Sequence, residues 1–125
     1  MAVQIPGFRI GILTASADLS AKQYHAVKVS GALTVGLTSA AGEVCLGILQ
    51  NAPASGYVAD VMCSGVSKVI SGAAIAAGAK LMAGADGRII TAATTGSHVI
   101  GFALEAAANA NEYISAYIIA GSGVI

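Results

Sequence analysis

Turn signals ending in glycine cut this chain into short pieces, and nothing else constrains its fold as much. They are Ser30-Gly31, Ala41-Gly42, Ser55-Gly56, Ser71-Gly72, Asp86-Gly87 and Thr95-Gly96. Between them apolar residues recur with period two, and period 3.6 does not persist. Ala26–Val29, Tyr57–Cys63, Arg88–Thr91 and Tyr113–Ile119 read as strands. Asp86-Gly87 lies between Lys80–Met82 and Arg88–Ile90. Both residues tolerate the positive φ of a tight type I′ turn, so a hairpin is expected there. Many short strands separated by turns predict an all-β protein: a small single-domain β-barrel or sandwich with little helix.

One segment speaks for helix. Within Gly101–Ile118, GFALEAAANANEYISAYI, the middle is rich in the best helix formers. Comparison of the two halves of the chain argues the other way. Val27–Met62 and Lys80–Ile118 follow one plan, with pseudo-repeats near 26–63 and 79–119. Gly31 matches Gly84, Leu46-Gly47-Ile48 matches Ile100-Gly101-Phe102, and Tyr57-Val58 matches Tyr113-Ile114. The first copy carries Asn51–Gly56 where the second carries Ala106–Glu112. Pro53 and Gly56 cannot sit inside a helix, so the second segment is expected to be a loop turned by Asn109 and Asn111. Gly47 and Gly101 fall inside strands, which marks a bulge or a close backbone approach. Between the halves, Ala73–Ala77 could form one helical turn, bounded by glycines that forbid a longer helix.

Only 10% of the residues are charged, with six Lys plus Arg against six Asp plus Glu. Net charge keeps free proteins apart. A neutral, charge-poor surface therefore suits a subunit partly covered by other chains. The lack of a basic stripe argues against nucleic acid. The longest uncharged runs, Val44–Ala59 and Ile89–Leu104, have 16 residues each and are broken by polar residues. A spanning helix needs about 20 apolar ones, so no membrane partner is expected. Ile10–Leu13 is too short for the core of an export signal. Cys45 and Cys63 fit buried free thiols of an intracellular product, with a disulfide across a hairpin left open.

The search for chemistry returns little. His25 and His98 have no further ligand at metal spacing. Asp18, Glu43, Asp60, Asp86, Glu105 and Glu112 are scattered, and Asp86 is explained by its turn. Gly121-Ser122-Gly123 is not a nucleophile elbow. Ser71–Gly84 is glycine-rich but lacks the ending of a phosphate loop. The expectation is a protein that is not an enzyme, with no catalytic residues, no cofactor and no metal.

An ordered set of pieces carries a resemblance. They are Asp18–Tyr24, Gly47–Gly56, Ser64–Val69, Gly72-Ala73-Ala74 with Ala77-Gly78, Asp86-Gly87-Arg88 and Ile100–Ala107. In this order and spacing the chain resembles the small capsid cement, or decoration, proteins of tailed bacteriophages, over roughly residues 14–119. The resemblance implies a β-barrel-like domain on the outer surface of an expanded phage head, made in the host cytoplasm. It implies that the domain bridges subunits of the major capsid protein, often as a homotrimer at three-fold or quasi-three-fold positions. It implies neither catalysis nor a cofactor. The chain departs from the family pattern at Lys80, where an acidic residue is usual, and at Asn111, near a usual glycine. Asn tolerates left-handed backbone, so that turn survives; Lys80 alters surface charge.

The capsid or sister-subunit contact is expected in an extended N-terminal arm, residues 1–10, ahead of a β-domain at 11–125. Pro6 and Gly7 break regular structure, yet Val3, Ile5, Phe8 and Ile10, with Arg9 among them, are too apolar for a free tail. The same stretch could instead form an edge strand of its own barrel. Rival readings are a tail or baseplate β-domain, a β-barrel that binds a small molecule, and a minor enzyme with scattered carboxylates.

Overall fold

The computed structural model describes residues 7–124. Among them there is no helix, and ten strands make up about half of the chain. Five strands close a barrel: β1 (Arg9–Ala15), β2 (Ala26–Gly31), β3 (Thr34–Leu37), β4 (Gly47–Leu49) and β5 (Val58–Met62), in the order β1-β3-β2-β4-β5. The other five form a sheet in the order β6-β10-β9-β7-β8. They are β6 (Ser64–Ile70), β7 (Lys80–Ala83), β8 (Ile89–Thr91), β9 (His98–Ala103) and β10 (Tyr113–Val124). The all-β expectation thus resolves into a barrel with a curled sheet packed on it.

Two cores follow from the period of two. Leu13, Val27, Val35, Leu49 and Val61 pack together inside the barrel. A second core lies between barrel and sheet and holds Leu81, Ile89, Ile100, Ile114 and Ile118. Strand β4 serves both, with Ile48 in the second core and Leu49 in the first. A strand buried on both faces must be apolar throughout, as Gly47-Ile48-Leu49 is. Gln50 stitches the layers together, its Nε2 donating to Ser67 Oγ at 3.0 Å and to Ile48 O at 3.0 Å.

The halves share a strand order. In the barrel, β3-β2-β4-β5 are neighbours; in the sheet, β8-β7-β9-β10 are. The ladders set Gly47 level with Gly101, since Val27 faces Gly47 and Leu81 faces Gly101. They also set Ile48 level with Phe102 and, through the next pairing, Met62 level with Tyr117. Counting back along the last strand places Val58, not Tyr57, level with Tyr113. The sequence match of the two tyrosines is therefore shifted by one residue in the ladder.

Local chemistry shapes the connections. The β7–β8 hairpin forms as expected, but its loop is not a two-residue type I′ turn. Only Gly87 has positive φ, at 82°. Gly84 N donates to Arg88 O at 2.7 Å around a three-residue loop, the arrangement in which a left-handed glycine closes a type I turn. Asp86 takes part by accepting from Arg88 N at 3.1 Å. The alanine-rich segment before β10 is a loop, as expected. Glu112 accepts from Ala108 N and Asn109 N, both at 3.1 Å, and Asn111 takes φ 65°. Ile75 and Ala107 exchange two backbone bonds of 2.9 Å. That bridge holds Ala73–Ala77 out of the helical turn that its composition allowed.

Candidate functional site

The polar groups are occupied with building the fold. Glu43 accepts from Ser39 N and from Ala40 N, the latter at 2.8 Å, and pairs with Lys28 Nζ at 3.0 Å. Burial works against its charge, but these N–H donors and the lysine outweigh it and hold its pKa at about 2. Arg9 pairs with Asp60 at 3.3 Å, and Arg88 with Asp86 at 2.8 Å, which keeps the Asp86 carboxyl below its usual range. Asp18 caps Ser20 N at 3.0 Å, and Glu105 accepts from Ser115 N at 2.9 Å. His25 is buried against Gln23 O at 3.2 Å, and that burial lowers its pKa. Cys45 and Cys63 are free thiols; burial pushes Cys45 up to about 12. Among the described residues no group of three metal-ligating side chains comes together, and no buried side-chain nitrogen or oxygen lacks a partner.

What the surface offers is apolar. One patch caps the barrel end, where Ile12 and Leu33 are exposed beside Tyr57 and Val58. Thr14, opposite Val58 on β5, joins them and donates its backbone N–H to Leu33 O at 3.0 Å. A shallow hollow next to it is lined by Asn51, Pro53, Tyr57 and Val58. A second groove is lined by Val29, Val44, Leu46, Cys63 and Ala120.

The third surface is the outer face of the sheet. Side chains alternate along β10, so Ile114, Ala116 and Ile118 enter the core while Tyr113 and Tyr117 point away, 53% and 44% exposed. Tyr117 stands opposite Phe102 on β9 and Val66 on β6, and Phe102 stands opposite Lys80 on β7. Leu104, 53% exposed, extends the row beside Ser115. Tyr113 meets Tyr24 edge to face at 5.8 Å, and Lys68 lies over the Tyr24 ring at 5.8 Å. An antiparallel sheet with one core face usually puts polar residues on the other. This face instead collects four of the six aromatic residues of the chain.

The arm residues distribute differently. Val3 and Ile5 lie outside the described residues. Phe8 is 64% exposed, and its carbonyl accepts from Cys63 N at 2.9 Å. Arg9 and Ile10 already belong to β1, opposite Met62 and Val61, and Ile10 packs against the barrel core. From Arg9 onward the chain is thus a barrel strand. The outer sheet face was not singled out from sequence, although the spacing of Tyr113 and Tyr117 within a strand signals it.

The sequence profile of the phage cement proteins matches residues 8–118. This chain belongs to the phage cement protein family. It is a capsid-associated structural protein. Its fold is shared by a crystal structure described as the head fiber gp8.5 N base in bacteriophage phi29. The TM-score is 0.72 at 17% identity, over 89% of this chain and 94% of that one. No curated protein matches it. For a cement protein, the exposed apolar faces are the features that can carry the work.

Proposed function

We propose that this cement protein docks on the outside of an expanded phage head and bridges neighbouring major capsid protein subunits, without catalysing any reaction. The observation that carries this reading is the contrast between its polar and apolar groups. Its carboxylates are all bonded within the fold, while Phe8, Tyr57, Tyr113 and Tyr117 stand exposed on a charge-poor surface. Tyrosine exposes much apolar area at low conformational cost and is enriched where binding energy concentrates. Several apolar surfaces on one small domain suit a part that touches more than one neighbour. Many copies on one lattice make modest contacts sufficient. A homotrimer at three-fold or quasi-three-fold positions fits this role, and so does the fold shared with a head fiber base.

The test is to mix the purified protein with undecorated expanded capsids and image them by electron microscopy. Added density at local three-fold or quasi-three-fold positions is expected. Capsids that stay bare at saturating protein would refute the reading. Mass measurement of the free protein then separates trimer from monomer.

A further inference from the structure

One small residue on the outer face of the β6-β10-β9-β7 sheet is closed off where its neighbours are open. Alternation along β10 sends Ile114, Ala116 and Ile118 into the core, so Ser115 points outward in the row of Tyr113 and Tyr117. Those two are 53% and 44% exposed, and Leu104, bonded through its N–H to Ser115 O, is 53% exposed. Ser115 is only 2% exposed. Side chains that are themselves half open wall a hollow without roofing it. Glu105 covers one side, where its carboxylate accepts from Ser115 N at 2.9 Å. The described chain begins at a corner of this same face. A Cβ added to Gly7 would fall 2.7 Å from the Ser64 carbonyl carbon and 2.8 Å from Gly65 Cα, so Gly7 lies directly against the first residues of β6. Phe8 O accepts from Cys63 N at 2.9 Å and from Ser64 N at 3.4 Å, two residues against one, as in a β-bulge. That bulge carries the chain from the barrel to the edge of the second sheet.

We infer that residues 1–6 of the same chain form a strap across this face, running from the β6 corner over Ser115 toward Glu105, with Val3 and Ile5 turned down onto the sheet. The length fits. Gly65 is level with Ile118, three residues from Ser115, which is about 10 Å along the strand. β9 lies two strands from β6, which is about 10 Å across. The diagonal is about 14 Å, and six extended residues reach about 20 Å. The residues fit as well. Val3 and Ile5 stand either side of Gln4, the period of an extended segment with an apolar side. Pro6 has no N–H for a ladder, which favours a course over the face rather than along the β6 edge. At the far end, Ser115 first and the chain's amino terminus after it hold the Glu105 carboxyl below its ordinary range. A strap passing between Tyr113 and Tyr117 roofs Ser115 and leaves both rings open at its sides, as their exposure requires. The strap belongs to the fold and exists before any partner arrives, so it goes beyond docking on a head. It makes the two tyrosines the open flanks of a face whose centre is already filled.

Thiol labelling of Ser115→Cys tests the strap, with peptide mass spectrometry separating this site from Cys45 and Cys63. Deleting residues 1–6 is expected to speed labelling of Ser115→Cys by about tenfold or more. Tyr117→Cys, open in both chains, should label alike with and without those residues. Val3→Asp with Ile5→Asp in the full chain should speed Ser115→Cys to a similar degree, since charges cannot lie down on an apolar face. That variant carries the test if the shortened chain does not fold, which thermal unfolding shows. Ser115→Cys labelling at one rate in the full, shortened and aspartate chains overturns the strap. Protection that fades on dilution together with the oligomeric mass also overturns it, and gives residues 1–6 to a sister copy. None of these measurements uses a capsid, so the strap and the docking proposal fail separately.

Discussion

Gly101→Ala should be among the most damaging single-atom additions to this protein, and the structure separates the reasons. At Gly101 an added Cβ would stand 3.0 Å from the Tyr117 carbonyl carbon and 3.2 Å from Ile118 Cα, deep inside the shell of the Tyr117 oxygen. The residue also has φ 154°, a region nearly reserved for glycine. To admit the methyl, β9 and β10 must part by more than about 1 Å, since close-packed atoms tolerate little overlap. Overpacking of this kind costs about 1–3 kcal/mol, the backbone strain about 1–3 kcal/mol, and a weakened ladder bond about 1 kcal/mol. The sum, about 3–7 kcal/mol, is a large share of the ~5–15 kcal/mol that holds a domain folded. Three other glycines isolate the terms. Gly47 meets the Met62 carbonyl without positive φ, so Gly47→Ala should cost about 2–4 kcal/mol. Gly56 has φ 84° and open space, so Gly56→Ala should cost about 1 kcal/mol. Gly11 has open space and no positive φ, so Gly11→Ala should stay within about 0.5 kcal/mol. Urea unfolding at fixed pH measures all four. If Gly101→Ala loses no more stability than Gly56→Ala, the close approach of the two strands is not what demands glycine there.

Four further outcomes are expected. Glu43 has a pKa lowered to about 2 from its ordinary 4.5. Its contribution is therefore present above pH 4.5 and is lost as pH falls toward 2. Glu43→Gln should cost about 1–2 kcal/mol at neutral pH and flatten the stability profile across that window; an unchanged profile would contradict the assignment. Cys45 should resist thiol reagents in the native protein at pH 8, because it is buried and its pKa is pushed up to about 12, and should react fully in urea. Mass spectrometry of labelled peptides distinguishes it from the more accessible Cys63. Asn111→Gly should be tolerated within about 0.5 kcal/mol, whereas Asn111→Val should cost about 1–2 kcal/mol, because φ 65° is hostile to a β-branched side chain. Thermal melts of the pair decide it. Capsid association should change little between low and moderate salt, since net charge is zero; a fall of several orders of magnitude would point to charge-driven binding instead.

Much of the architecture was legible in the residues. Period-two segments between glycine turns announced strands, and β2, β5, β8 and β10 lie where they were expected. Gly47 and Gly101 stood inside strand patterns without any turn to explain them, and both prove to be points of close backbone approach. The loop before β10 was legible only through comparison with the Pro53 segment. Its own composition favours helix, but Glu112, Ser71 and Ile75 take up its backbone groups first. The two-residue turn at Asp86-Gly87 was too simple, because Asp86 is drawn into bonds with Arg88 and only Gly87 turns left-handed. The Tyr57–Tyr113 match failed by one residue, since similar letters in a strand do not specify which residue of the partner they face.

The candidate surface was less legible. The apolar N-terminal stretch reads as a contact arm in the sequence, and the structure adds that from Arg9 onward it is also a barrel strand, with Phe8 exposed ahead of it. The sequence by itself determined that this chain is all-β, where it turns, where two strands come too close for a side chain, and which family it belongs to. Those properties depend on local conformational limits and on the order of short pieces. Only the tertiary structure decided which faces are covered. Both faces of β10 are apolar, so alternation alone cannot say whether Tyr117 or Ile118 points inward. Pairing with β6 and β9, and the packing of the barrel against one side of that sheet, buries Ile118 and leaves the aromatic face exposed.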